Sequence, residues 1–534
     1  MNGKSGKVVF KPYNQRQQLL FPPSFDSLVP KNHLVRLIDS AVEQMDLSTV
    51  LASYKGGGTS SYHPKMLLKV LIYAYTQKIY SSRRIAQAIK ENVNFIWLCA
   101  GNSPDFRTIN RFRSSKLRDN TEKIFASMLG LLAEANLIKL EEYFLDGTKI
   151  EANSNRYTFV WRKSTERYSE NLNRKVKELF TEIDQINRSE DKLYKNKDLP
   201  ELGEDQAPIS VERMKEKVAE LDAALESVEE SNLDKKEKRT LKKARNSLKK
   251  DYIPRREKYD EQFRICGDRK SFSKTDNDAT FMRMKEDHMK NGQLKPGYNV
   301  QAGCENQFIT GYTLHQKPGD STLLPPHLDS LKDDFGFRPN TVIADAGYGS
   351  EENYSVLENY GIEAVVKYGL YQQEQKRNFL WVKQFTPEGM SYDPHLDTYT
   401  CPAGVVLEFV GNRKRKTQTG YVAKSRCYQA TDCSGCEVKA CCHKGQNNRL
   451  MQVNAQFLIY RQKARETLAT PTGKALMYRR MAEIESVFGQ LKQNFGFRRF
   501  LLRGISKVTV EFGLLALAHN MKKWMQAKNT ALEI

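Results

Sequence analysis

The run Thr341-Val342-Ile343-Ala344-Asp345-Ala346-Gly347-Tyr348-Gly349 constrains the fold more than any other stretch of the chain. Its first four residues are largely apolar, β-branched at three positions and followed at once by a turn signal, so they read as a short strand buried on both faces. A strand of that kind belongs to a sheet flanked by helices. Asp345 then falls at the strand's C-terminal edge, where ligands bind in such sheets, which makes it a candidate metal ligand. The alternative is a turn or N-cap aspartate ahead of the next helix.

At 534 residues the chain is expected to form two or three domains. Lysine and arginine number 85 against 64 acidic residues, and the net charge of +21 favours a polyanionic partner, nucleic acid first. No run approaches the roughly 18 apolar residues needed to cross a bilayer. The N-terminus also lacks a signal peptide's apolar segment, so a cytoplasmic protein without membrane association is expected. Nine cysteines are too few and too uneven for a disulfide scaffold, and six of them fall between Cys401 and Cys442. Cys433-x2-Cys436, with a cysteine five or six positions on and Cys401-Pro402 upstream, suits structural zinc. The expected ligands are Cys401, Cys433, Cys436 and Cys442, with Cys427, Cys441 or His443 as substitutes. Cys99, Cys266 and Cys304 are isolated and read as structural.

The N-terminal region (1–130) reads as helical. An extended start leads to a helix through Leu34, Leu37, Ile38, Ala41 and Met45, then a break at Gly56-Gly57-Gly58. Pro64 opens a second helix, and Ser81-Ser82 a third that runs through Ile85, Ile89 and Phe95. A basic one begins at Ser103-Pro104. The last three resemble a helix-turn-helix, with Arg107, Arg111, Arg113 and Lys116 as candidate DNA contacts; a bundle with a solvated basic face is the alternative.

Glu142 to Leu145 reads as a strand ending on Asp146-Gly147, a repeat of the Asp345 pattern. Two such sites raise the prospect of paired carboxylates around a hard divalent cation. Residues 166–262 then carry heptad-spaced stripes: Leu172, Val176, Leu179, Ile183 and Ile186, and again Met214, Val218, Leu221, Leu225 and Val228. An intramolecular helical hairpin is expected there, or a dimer through the same stripes. Strands at Tyr298 to Ala302 and Phe308 to Leu314 form a hairpin, Ser321 caps a helix through Leu324, Leu328 and Leu331, and a helix (351–360) and a strand (364–366) follow Asp345. Leaving out the charged segment, this order is that of a ribonuclease-H-like α/β fold, a mixed sheet flanked by helices. The catalytic core would span 138–165 and 263–370, with a Cys-rich insertion at 371–470 and completion by helices at 471–534.

In the helix Ala475 to Asn494, Glu485 lies seven residues from both Tyr478 and Lys492, nearly two turns, so the three share a stripe; Glu483, about 200° away, points elsewhere. The motifs LDGTKIEAN around Asp146, VIADAGYGS around Asp345 and RMAEIESVFGQLKQNFGFRRFLLRG around Glu485 together resemble the DDE transposases of bacterial insertion sequences. Tyr478, Glu485 and Lys492 are similar to a signature of that group. Its arginine falls at Met481, with Arg479 or Arg480 as substitutes. The resemblance implies an enzyme that cuts double-stranded DNA at the ends of its element and joins 3′-hydroxyls to a target. Asp146, Asp345 and Glu485 would hold Mg2+ or Mn2+, Tyr478 and Lys492 the DNA backbone, and several copies would assemble on DNA. A nuclease that never joins strands, and a non-catalytic DNA-binding descendant, are the rivals.

Overall fold

The computed structural model describes residues 24–54, 61–191, 208–227, 235–284, 293–376 and 383–532. The extended N-terminal start, the Gly56–Gly58 break and Val228 lie outside them. Two compact units are present, Met1–Asn120 with Met521–Ile534, and Thr121–Asn520.

The first unit is helical. Helices Leu34–Gln44 and Pro64–Thr76 follow the expected bounds, the second with proline in its first turn. The third expected helix is two, Ser82–Glu91 and Val93–Leu98, because Asn92 leaves helical geometry and its side chain caps the amide of Asn94. The basic helix starts later than Ser103, at Phe106–Arg111 behind the Asp105 cap, and continues as a π turn, Phe112–Lys116.

In the second unit, β1 (Glu142–Glu151) runs straight through Asp146-Gly147, where the sequence pattern suggested an end. A short ribbon of β2 (Phe159–Trp161) with β3 (Ser271–Ser273) closes the base of helices Arg162–Asp191, Val211–Ser227, Lys235–Ser247 and Ile253–Cys266. The heptad stripes of these helices pack on one another within the chain: Leu172, Val176 and Ile183 meet Met214, Leu221, Leu241 and Leu248 in one apolar cluster. Beyond them come β4 (Thr280–Arg283), β5 (Leu294–Glu305), β6 (Phe308–His315), β7 (Thr341–Ala344) and β8 (Glu363–Val366). The sheet order is β6-β5-β1-β7-β8, with β1, β5 and β6 antiparallel and β7 and β8 parallel to β1; β4 joins the outer edge of β5. This mixed α/β arrangement fits a ribonuclease-H-like domain. The β5–β6 hairpin is tighter than expected, turning on Asn306 and Gln307 alone, both at positive φ.

Packing explains two glycines in this sheet. A Cβ on Gly303 would lie 1.9 Å from the Tyr143 ring and one on Gly311 2.2 Å from Leu331, so β5 and β6 are glycine where Tyr143 crosses them. The Tyr143 hydroxyl meets buried His327 at 2.7 Å, and Thr313 holds the other ring nitrogen at 2.7 Å. His327 belongs to helix Leu324–Asp333, which Ser321 does not cap; the flanking residue is Leu323. A second sheet of β9 (Ser391–Asp393), β10 (Thr398–Thr400), β11 (Val406–Lys416), β12 (Val422–Ala430) and β13 (Leu450–Val453) follows, then helices Ala455–Ala469, Pro471–Arg480 and Ile505–Leu532. Among the described residues no helix is long and apolar enough to cross a membrane.

Candidate active site

Three elements bring one carboxylate each to the same place. Asp146 lies inside β1 opposite Ala302, with its side chain only 9% exposed. Asp345 follows β7 directly, and Glu485 ends a π turn, Met481–Glu485, that interrupts the helix running on from Pro471–Arg480. In both aspartates one oxygen serves the backbone: Asp146 Oδ1 accepts from the Gly147 amide and Asp345 Oδ1 from the Gly347 amide, each at 2.8 Å. Asp345 is therefore a turn aspartate and a site carboxylate at once, while Ser350 is the actual cap of helix Glu351–Asn359.

The remaining oxygens face a single cation. The Arg480 guanidinium stands 3.3 Å from Asp146 Oδ2, 3.9 Å from Asp345 Oδ2 and 2.8 Å from Glu485 Oε1. Its Nε is buried without a hydrogen-bond partner. Of the two arginines offered by sequence, Arg480 alone reaches the acids. Arg479 pairs with Glu142 at 2.7 Å and lies over the Phe144 ring. Glu483, buried, accepts from the Gln307 amide at 2.6 Å and so points away from the cluster.

Among the described residues no three His, Cys, Asp or Glu side chains are arranged as a metal cage, and at the acidic cluster the guanidinium occupies the middle. The donor set nonetheless suits a hard divalent cation, being all carboxylate oxygen and already gathered around a positive charge. Across β1, on the Gly147 face, Asp320 Oδ1 accepts from Asn299 (2.7 Å) and Gln301 (2.9 Å), and buried Tyr348 donates to Gln301. Burial, with Asp320, Asp146 and Asp345 nearby, pushes the Tyr348 hydroxyl well above its usual range. A Cβ on Gly147 would come within 2.5 Å of both Asp320 and Gln301. Sequence reading missed this network, for which the only signal was the glycine after Asp146, read there as the end of a strand.

The other expected sites fare unequally. Tyr478 is 74% exposed while Lys492 is buried, and two π turns intervene, Met481–Glu485 and Gln490–Asn494. The shared stripe assumed ordinary α-helical pitch, which those turns break. Arg107 and Arg111 are exposed. Lys116 is half-buried, donating to Ser53 O and lying over the Tyr54 ring. Arg113 is removed from the DNA candidates: it is 3% exposed and spends its guanidinium on Tyr80 O, Tyr75 and Ser82. The expected zinc ligands are brought together, without a metal cage being shown among the described residues. Cys401, Cys433, Cys436 and Cys442 line one cavity of about 20 Å³, and Arg449 donates to Cys442 Sγ at 2.7 Å.

Two family models match the chain: a Transposase DDE domain over residues 400–525, which takes in Arg480 and Glu485, and a Transposase domain (DUF772) over residues 23–115. No curated protein matches it.

Proposed function

We propose, from the premise that these two matches support a DDE transposase of an insertion sequence, that the chain cuts DNA at the ends of its element and joins the freed 3′-hydroxyls to target DNA. The observation that carries the reading is the meeting of Asp146, Asp345 and Glu485 on one guanidinium. These three carboxylates would hold divalent cations, Mg2+ or Mn2+, which in such sites activate the attacking water or hydroxyl and stabilise the leaving oxygen. Arg480 neutralises the cluster until then. In each step a new P–O bond forms as the P–O3′ bond opposite it breaks, and the leaving 3′-oxygen gains a proton. Asp146 and Asp345 are oriented for this by the amides of Gly147 and Gly347, so their free oxygens are fixed before substrate arrives. Exposed Arg107 and Arg111 in the helical unit would contact duplex DNA, and more than one copy would hold the two ends together.

The test is strand transfer with a pre-cleaved end. Joining should be present in the native chain and fall by several orders of magnitude in each of Asp146→Asn, Asp345→Asn and Glu485→Gln, with DNA binding retained; Glu483→Gln should be mild. Hydrolysis without joining would favour a nuclease.

A further inference from the structure

Strands β11 and β12 extend as a long basic hairpin beyond the bulge at Gly411. Arg413 sits opposite Ser425 and Arg415 opposite Ala423, so these four share one face, while Lys414 and Lys424 oppose each other on the other face. The hairpin's end is fastened to the first turn of helix Glu351–Asn359, which follows the Asp345 loop: Thr419 donates to Glu352, and Tyr421 to Glu351 Oε1 at 3.0 Å. Between them opens a cleft of about 560 Å³, lined by Gly349, Ser350, Glu351, Arg413, Arg415 and Ser425, among others. Its wall thus begins within the loop that Asp345 starts.

The charge inside is one-sided. Glu351 is the sole acidic residue of the lining, and its two oxygens already accept from Tyr421 and from Asn454 Nδ2 (2.6 Å). Arg413 and Arg415 are exposed and have no ion pair among the described residues. Residues two apart on a strand lie about 6.7 Å from each other, a spacing that neighbouring phosphates of one strand can meet.

We infer that this cleft is a phosphate-backbone site, with Arg413 and Arg415 each on one phosphate of duplex DNA passing beside the Asp345 loop. This rests on the reading that the chain acts on DNA. The contacts are to backbone, so they position the duplex without reading its sequence.

The experiment is fluorescence anisotropy of the full chain with a random-sequence duplex across a salt series. Each phosphate contact contributes about 0.9 to the slope of log affinity against log salt, so Arg413→Ser with Arg415→Ser should lower the slope by about 1.8. Replacing both arginines by lysine should restore most of it. The pair Lys414→Ser and Lys424→Ser, which removes equal charge from the opposite face, should leave the slope near that of the native chain. An unchanged slope in the arginine pair, or equal losses in both pairs, overturns the site while the DNA reading stands. No binding by the native chain overturns both.

Discussion

Replacing Arg480 by methionine probes the acidic cluster directly. The arginine side chain is 10% exposed and its partner Asp146 9%, whereas Asp345 and Glu485 are 43% and 49% exposed. The two exposed pairs are worth at most about 1 kcal/mol each. The Asp146 pair is different, because its removal strands a carboxylate in a buried position, at a cost of about 3–5 kcal/mol. Methionine keeps most of the apolar stem's packing, so a net loss of about 3 kcal/mol is expected in chelator. With unfolding entropy of roughly 2.1 cal/mol/K per residue, a unit the size of Thr121–Asn520 shifts by about 1.2 °C per kcal/mol, so its melting midpoint should fall by about 3.6 °C. Manganese should then raise the midpoint more in the variant than in the native chain, since a divalent ion no longer has to displace a guanidinium. At 100 times its Kd, a ligand stabilises by about 2.7 kcal/mol. Scanning calorimetry with EDTA and with Mn2+ reads both quantities. Equal midpoints in EDTA, or equal manganese gains in the two proteins, would refute the argument.

Substituting a short glycine-serine linker for residues 166–262 should leave the remainder folded, because Thr165 and Gln262 already hydrogen-bond at 3.0 Å and the β2–β3 ribbon closes the base. An insoluble product would show that these helices support the sheet; transposition should suffer far more than the melting midpoint. A second expectation concerns acid: burial, then His315, pushes His327 from its ordinary 6.5 down to about 3. The unfolded chain takes up a proton between those values that the folded one does not, so stability present above about pH 6.5 is lost as pH falls toward 3, at up to about 1.4 kcal/mol per pH unit. His327→Gln should therefore show a shallower fall in unfolding free energy between about pH 6.5 and about pH 4.5, and an identical slope would contradict the assignment.

The two aspartate-glycine patterns show what could be seen without coordinates. At Asp345 the pattern does end a strand, since the β-branched run stops and Gly347 supplies a turn amide. At Asp146 it does not, because Gly147 is small for a different reason: Asp320 and Gln301, remote in sequence, press against its face. Long-range crowding leaves no local trace beyond the missing side chain. Arg113 is a similar case, its charge reading as surface until Tyr75, Tyr80 and Ser82 are seen to enclose it. Heptad stripes were readable because their partners repeat the same spacing nearby, and the cysteines were readable as neighbours for the same local reason.

The wide turn Met481–Glu485 sets a phase. Arg480 and Glu485 are five residues apart, which on an ordinary helix would place them about 140° apart in azimuth. A π turn closes its hydrogen bond across five residues, so the two stack and meet at 2.8 Å. This helix therefore counts residues. Straightening the turn to ordinary pitch without losing a residue would swing everything beyond it, including Phe488, Leu491 and Lys492, by about 100°. Losing one residue from the turn would leave the acid four residues from its arginine, about 40° away on the same face, whereas ordinary pitch at the present length would separate the two and misalign the remaining core face in one stroke.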